Sequence, residues 1–212
     1  MVGSRDGQQQ RVLDVAIGLF AERGFDDVTM ADIAEAADVA RATVFNYFGS
    51  KHGLIEAVTE SVIVYYRELL DDALADERTP APEQLRALFE EMGKGIEAHR
   101  RLFRSVFREI ARIGLGLDEG SVAERAKDET VKRSRALIAR GQARGEITDA
   151  FDSLALANAF RSLANGTIEN WLYEDATDSL IVRMRDAADI FLSEVEQPVR
   201  APRRTRAKGA SR

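Results

Sequence analysis

Residues 29–51, Thr-Met-Ala-Asp-Ile-Ala-Glu-Ala-Ala-Asp-Val-Ala-Arg-Ala-Thr-Val-Phe-Asn-Tyr-Phe-Gly-Ser-Lys, carry the pattern of two short helices joined by a tight turn. Thr29 with Asp32 three residues on is a near capping box, in which a side-chain oxygen takes an amide left orphaned at a helix start. Ile33, Ala34 and Ala37 then supply one apolar face, and the first helix is expected over Met30–Ala36. Residues 37–40, Ala-Asp-Val-Ala, form a turn that buries Val39. Arg41–Phe48 is a second helix with Val44 and Phe48 turned inward, which leaves Arg41, Ala42, Thr43, Phe45, Asn46 and Tyr47 facing out.

A merely solvated helix surface would carry Glu and Lys. This row of Arg, Thr, Asn and two aromatics has instead the chemistry of a DNA major groove. Arg can give two hydrogen bonds to guanine, and Asn can pair with adenine through both amide atoms. Thr and Tyr hydroxyls suit phosphate oxygens. Gly49-Ser50-Lys51 ends the helix and opens the next, so Lys51 and the first free amides of that helix can meet a phosphate together.

The stretch closely resembles the amino-terminal DNA-binding domain of TetR-type (tetracycline-repressor-like) transcriptional regulators. The family run appears as Thr29, Ile33-Ala34, residues 37–40, Thr43-Val44-Phe45, Tyr47-Phe48 and Lys51-His52-Gly53-Leu54. With Val12-Leu13, Ala16 and Leu19-Phe20 upstream it covers roughly residues 9–60. Four departures stand out. Asp38 replaces the turn glycine and must adopt the left-handed conformation itself. Ala40 replaces a capping Ser. Phe45 lacks the hydroxyl that the family's Tyr gives to a phosphate, and Gly53 replaces the Glu that would close a capping box from Ser50. The resemblance implies an all-α fold: a three-helix helix-turn-helix domain followed by a helical ligand-binding and dimerisation domain, about nine helices in all.

Length and charge fit that plan. The 212 residues suit one small and one medium domain, and 45% apolar residues are ample for their cores. No cysteine is present, which excludes disulfides and thiolate metal sites and fits a reducing cytoplasm. No apolar run approaches a membrane span, and the first ten residues are polar rather than signal-like, so a soluble cytoplasmic protein is expected. Residues 1–60 hold five basic against ten acidic side chains, the wrong sign for a phosphate partner. Between Val39 and Glu56, however, the charges are Arg41 and Lys51 alone. Weak non-specific affinity is the consequence. Residues 198–212 hold six basic residues and no acidic one, a composition of disorder. They are either a solvated tail or a mobile arm toward DNA or an acidic surface.

Four segments are expected: 1–8 a disordered tail, 9–55 the DNA-binding domain, 56–197 the ligand-binding and dimerisation domain, and 198–212 the basic tail. Apolar positions 12, 15, 16, 19 and 20 make the first helix, with Gly24 as its stop. A fourth helix from Ser50 to about Ala75 is about 37 Å long, enough to leave the DNA-binding domain and enter the second one with no linker between them. Pro82 suits the start of a fifth helix, and Gly93-Lys94-Gly95 weakens its end. A sixth begins near His99, and Gly114, Gly116 and Gly120 form a loop. A seventh runs from about Ser121 to residues 141–145. Asp152 caps the eighth, and the ninth runs from about Ser179 to Val195. The last two are apolar on more than one face and need a second partner. They are assigned to a homodimer interface, a two-fold four-helix bundle as in the resembled family, with Ala157, Ala164 and Gly166 allowing close approach.

The family also implies an inducer site among helices four to eight. Tyr66, Phe89, Met92, Phe103, Phe107 and Trp171 are large enough to line it, though aromatics at helical spacing equally make plain core. His99, Asn158, Arg161, Asn165 and Glu169 are polar candidates, Arg161 for a ligand carboxylate or for Glu169. Two histidines in different domains, with no His-Glu-x-x-His, nucleophile elbow or phosphate-cradling loop, argue against an enzyme, a metal or a cofactor. The reading is a ligand-responsive regulator, a repressor by resemblance. It would bind a palindromic operator as a homodimer through Thr29, Arg41, Ala42, Thr43, Phe45, Asn46, Tyr47 and Lys51, and be released by an inducer. The alternative is a helical small-molecule-binding or adaptor protein that has lost DNA recognition. The operator, the inducer and the regulated genes are not written in the chain.

Overall fold

Two buried apolar clusters joined by one long helix make up the structure, a computed structural model that describes residues 3–115, 122–174 and 177–197. Among these residues the elements are α1 (Gly3–Arg23), α2 (Met30–Ala36), α3 (Arg41–Phe48), α4 (Lys51–Ala75), α5 (Ala81–Ala98), α6 (Arg100–Leu115), α7 (Val122–Arg144), α8 (Ser153–Tyr173) and α9 (Leu180–Val195). The described residues contain no β-structure beyond one antiparallel bridge pair, Ile147 with Glu196, so the chain is all-α as expected.

The first cluster gathers around α1. Val12, Ala16 and Phe20, four residues apart, fall on one face of the helix and are fully buried against Val28, Ile33, Val44, Leu54 and Val58. Each large side chain removed from water contributes roughly 1.5–3 kcal/mol. Leu102 and Val106 of α6 belong to the same cluster. The amino-terminal unit is therefore not closed by its own helices, and the sequence division at 55/56 falls inside α4.

Two sequence expectations need correction here. Residues 3–8 were expected to be disordered, yet α1 begins at Gly3. Three consecutive glutamines, good helix formers, extend the helix, and Gln8 is tied to α3. Gly114, expected in a loop, lies within α6. The expectations for residues 1–2, for 116–121 and for the basic tail 198–212 fall outside the described residues.

The second cluster is built on α5, α8 and α9, with Phe160 edge-on to both Phe89 and Phe191 at centroid distances of 4.8 and 5.8 Å. Gly93 does not weaken α5, which continues to Ala98. A Cβ on Gly93 would lie 3.1 Å from the Ile181 Cα, so its bare backbone is what lets α9 come so close. Ser179 gives α9 no cap of its own. The Glu97 carboxylate of α5 does so instead, accepting from Ser179 Oγ at 2.9 Å and from the Ile181 amide at 3.1 Å.

Helix α4 is held at both ends. Ser50 Oγ accepts from the Gly53 amide at its start. At its end Arg140 of α7 donates to the carbonyls of Ala73 and Leu74 at 3.0 and 2.8 Å, satisfying acceptors that have no partner within the helix. Val62, midway, packs against both clusters.

On α8, Ala157 and Ala164 do not face outward as expected. Both are buried against their own chain, because they share the face of Phe160 and Ile168. The small residues on the open face are Ala155, Ala159, Ser162 and Gly166, at steps of four, three and four. Leu154, Val182 (52% exposed) and Ile190 (64% exposed) are large apolar side chains also left outside on α8 and α9.

Candidate nucleic-acid interface

The helix pair is assembled from local chemistry. Thr29 Oγ1 accepts from the Asp32 amide at 3.2 Å while Asp32 Oδ2 accepts from the Thr29 amide at 2.7 Å, a complete capping box. These bonds from Thr29, with Arg23 and Lys51 nearby, hold the Asp32 carboxyl below the usual carboxylate range. Asp38 adopts φ 53°, the left-handed turn conformation predicted for it. Ala40 offers α3 no side-chain cap, and the Thr43 amide reaches back to the Ala40 carbonyl at 2.8 Å instead.

Val44 alone of α3 is fully buried, and it pins the helix to the first cluster. Arg41, Ala42, Phe45 and Asn46 are exposed, and Thr43, Tyr47 and Phe48 are half-buried. The Arg41 guanidinium stands 5.5 Å from the centre of the Phe45 ring, close enough for a cation–π contact that steers it along the helix face. Among the described residues no side-chain hydrogen bond uses Arg41, Thr43 or Asn46, so their donors and acceptors are open to an external partner. Tyr47 differs. Its hydroxyl donates to Gln8 Oε1 of α1 at 2.8 Å.

Helix α3 stops at Gly49, φ 70°, where the Ser50 amide turns back to the Phe48 carbonyl at 2.7 Å. A Cβ on Gly53 would collide with that same carbonyl oxygen. The glycine that breaks the family pattern is thus required by a tight α3–α4 junction, a feature invisible at the level of spacing. Lys51 lies with Nζ 4.4 Å from the centre of the Phe25 ring and 3.3 Å from the Asp26 carbonyl, which orients it at the edge of the helix pair.

The acidic surplus of this unit is partly engaged within the chain. Asp14 accepts from Gln10 at 2.9 Å, Asp32 is 3.6 Å from Arg23, and Asp26 is 3.5 Å from Arg108. Arg108 comes from α6, whose arginines the sequence reading did not single out. Arg101 donates to the Glu22 carbonyl in the last turn of α1. Arg104 donates to the Leu172 carbonyl at 2.7 and 3.0 Å, and Arg100 to those of Trp171 and Glu174, both at 2.8 Å. One helix therefore grips the carbonyl-rich, negative ends of two others, α1 and α8.

The ligand-site candidates do not converge on one described cavity. Phe89, Phe103 and Trp171 are buried members of the second core, with Trp171 Nε1 donating to the Asp178 carbonyl at 2.9 Å. Met92, Tyr66 and Phe107 pack on its edge. His99 is exposed at the end of α5, and Asn165 is half-buried. Among the described residues no ion pair joins Arg161 to Glu169, and Arg161 Nε is buried without a partner. Asn158 lines an open groove of about 390 Å³ with Asp128, Val131, Lys132, Arg135 and Leu154. The Tyr66 hydroxyl is the most informative: it is buried with no partner among the described residues, and burial pushes its ionisation above the usual tyrosine range.

An all-helical chain that presents a short polar helix beyond a tight turn, on a long helix shared with a second core, has the architecture of a helix-turn-helix transcriptional regulator. Residues 12–58 match the family described as bacterial regulatory proteins, tetR family. The uncharacterized HTH-type transcriptional regulator YfiR of Bacillus subtilis is 23% identical over 194 residues, 91% of this chain and 94% of its own. A triclosan complex of SmeT, the repressor of the Stenotrophomonas maltophilia multidrug efflux pump SmeDEF, shares the fold with a TM-score of 0.70 at 20% identity, covering 90% of this chain and 92% of that one. Thermus thermophilus FadR bound to lauroyl-CoA does so with a TM-score of 0.64 at 22% identity, covering 95% and 100%. Residues 12–58 are thus a tetR-family segment, and the chain as a whole is similar to transcriptional regulators of that family. Among the described residues no helix is long and apolar enough to cross a membrane.

Proposed function

We propose that the protein is a ligand-responsive repressor that binds a palindromic operator as a homodimer. The observation that carries this reading is the open hydrogen-bonding capacity of Arg41, Thr43 and Asn46 on an exposed face fixed from behind by Val44. Arg41 and Asn46 read base edges, with Ala42 as an apolar contact. Thr29, Thr43, Phe45 and Lys51 set the position on the backbone directly, and Tyr47 does so through the side chain it bonds. Residues 9–55 act as the reading unit, and the remainder to 197 as the ligand-binding and dimerisation unit.

Dimerisation through α8 and α9 is supported by the outward row of small residues on α8 and by exposed Leu154, Val182 and Ile190. It sets two copies of α3 about 34–36 Å apart, one turn of duplex. Ligand response is supported by the buried, unpartnered Tyr66 hydroxyl and by the fold shared with proteins solved with triclosan and with lauroyl-CoA. A ligand that moves α6 would alter its hold on α1.

Selection on random duplex DNA followed by titration at two salt concentrations tests the reading. A palindromic site is expected, with specificity lost at one position in Arg41→Ala and at another in Asn46→Ala. Lys51→Ala is expected to weaken all duplexes alike and to flatten the salt slope by about one. Failure to select any site at low salt would overturn the proposal in favour of a binding protein without an operator.

A further inference from the structure

Along α1 the positions 8, 12, 16 and 20 recur every four residues. The last three, Val12, Ala16 and Phe20, are buried in the first core. The series therefore leaves the core at Gln8, where an apolar residue would be stranded at the rim, and meets the half-buried Tyr47 of α3. The Tyr47 hydroxyl donates its hydrogen bond to Gln8 Oε1 at 2.8 Å. A phenol that has spent its one proton can no longer donate to a phosphate. The Gln8 amide nitrogen, by contrast, keeps both N–H groups, with no partner among the described residues.

We infer that Gln8 and Tyr47 act as one unit, in which Tyr47 fixes the orientation of the Gln8 amide and Gln8 Nε2 donates to an operator phosphate. This rests on the DNA-binding reading above. It assigns the backbone contact to a residue of α1 ahead of the helix-turn-helix. It also supplies a donor to a face where Phe45 has no hydroxyl and Ala40 no side-chain oxygen.

The test is a titration of the full chain with the selected operator and with a scrambled duplex, for wild type, Gln8→Ala, Gln8→Glu, Tyr47→Phe and the Gln8→Ala/Tyr47→Phe pair. Losing one such bond is expected to weaken binding about 3- to 10-fold. In Gln8→Ala the loss is equal for both duplexes, so the specificity ratio holds. Tyr47→Phe produces a similar loss, and the pair of substitutions no more than either alone. Gln8→Glu, which keeps an acceptor for Tyr47 but turns a carboxylate to the phosphate, is expected to bind worse than Gln8→Ala. Wild-type affinity in Gln8→Ala, even with a lowered melting temperature, would overturn the inference, as would wild-type affinity in Gln8→Glu or additive losses in the pair. A wild-type protein that binds no duplex would instead remove the reading beneath it.

Discussion

The Phe48 carbonyl oxygen occupies the space that any side chain on Gly53 would need, so the last turn of α3 leans directly on the first turn of α4. The Ser50 amide bonds to that same oxygen at 2.7 Å, and Gly49 between them is held at φ 70°. Gly53→Ala improves helix propensity by up to about 1 kcal/mol, but it forces this junction apart. The expected outcome is a fall in operator affinity of about tenfold or more, larger than any change in melting temperature accounts for. Anisotropy titration beside a thermal melt separates the two, and unaltered affinity would refute the account of the junction.

Asp32 provides a pH prediction. Its folded-state ionisation is lowered by the Thr29 bonds, so the capping box contributes fully above the unfolded carboxyl value of about 3.9. That contribution disappears as pH falls through the lowered folded value, when the protonated carboxyl loses an acceptor. Carbon-detected NMR should place the Asp32 midpoint below the ordinary aspartate range and move it upward in Thr29→Ala. An unmoved midpoint would show that Thr29 is not its cause.

Arg104 closes the carboxy-terminal end of α8 from α6. Arg104→Met keeps much of the stem but removes two donors, and the expected cost is about 1 kcal/mol, discounted for the exposure of the side chain. Amide exchange should quicken in the last turn of α8 before it does in α5 or α9. Uniform quickening throughout would mean that the arginine acts on global stability rather than on this helix end.

Gly166 isolates the dimer question, because a Cβ there meets nothing within 4 Å among the described residues. Gly166→Arg should therefore leave the melt of the subunit intact, or raise it by up to about 1 kcal/mol through helix propensity. It should also shift sedimentation from dimer to monomer. A dimer that persists unchanged would move the interface off the small-residue face of α8.

Much of the fold was legible because its signals are local. The bounds of α2 and α3 are set by Thr29, the Asp38 turn and Gly49, each a few residues from what it controls. The starts of α4 and α8 are set by Ser50 and Asp152 for the same reason. What escaped was long-range. Glu97 caps α9 from 82 residues away in sequence, and Arg140 closes α4 across more than sixty. Gln8 carried one local signal, its place one step beyond Val12 on the buried stripe, but its meaning depends on Tyr47, 39 residues on. The facing of Ala157 and Ala164 was misjudged because small apolar residues fit a core and an interface equally well. The ligand-site residues were the least legible, since an aromatic at helical spacing has the same sequence signature whether it fills a core or lines a cavity.

Because α4 passes from one core into the other without a break, the two halves of this protein share a single angular coordinate. Inserting one residue between Val58 and Leu69 would turn α3 about 100° around the α4 axis and lift it about 1.5 Å, aiming Arg41 and Asn46 away from any groove the other half holds in place. Chimaeras that graft a different helix-turn-helix unit onto this body must therefore splice in phase, with length changes near seven or eleven residues, to keep α3 at its present angle to the rest of the chain.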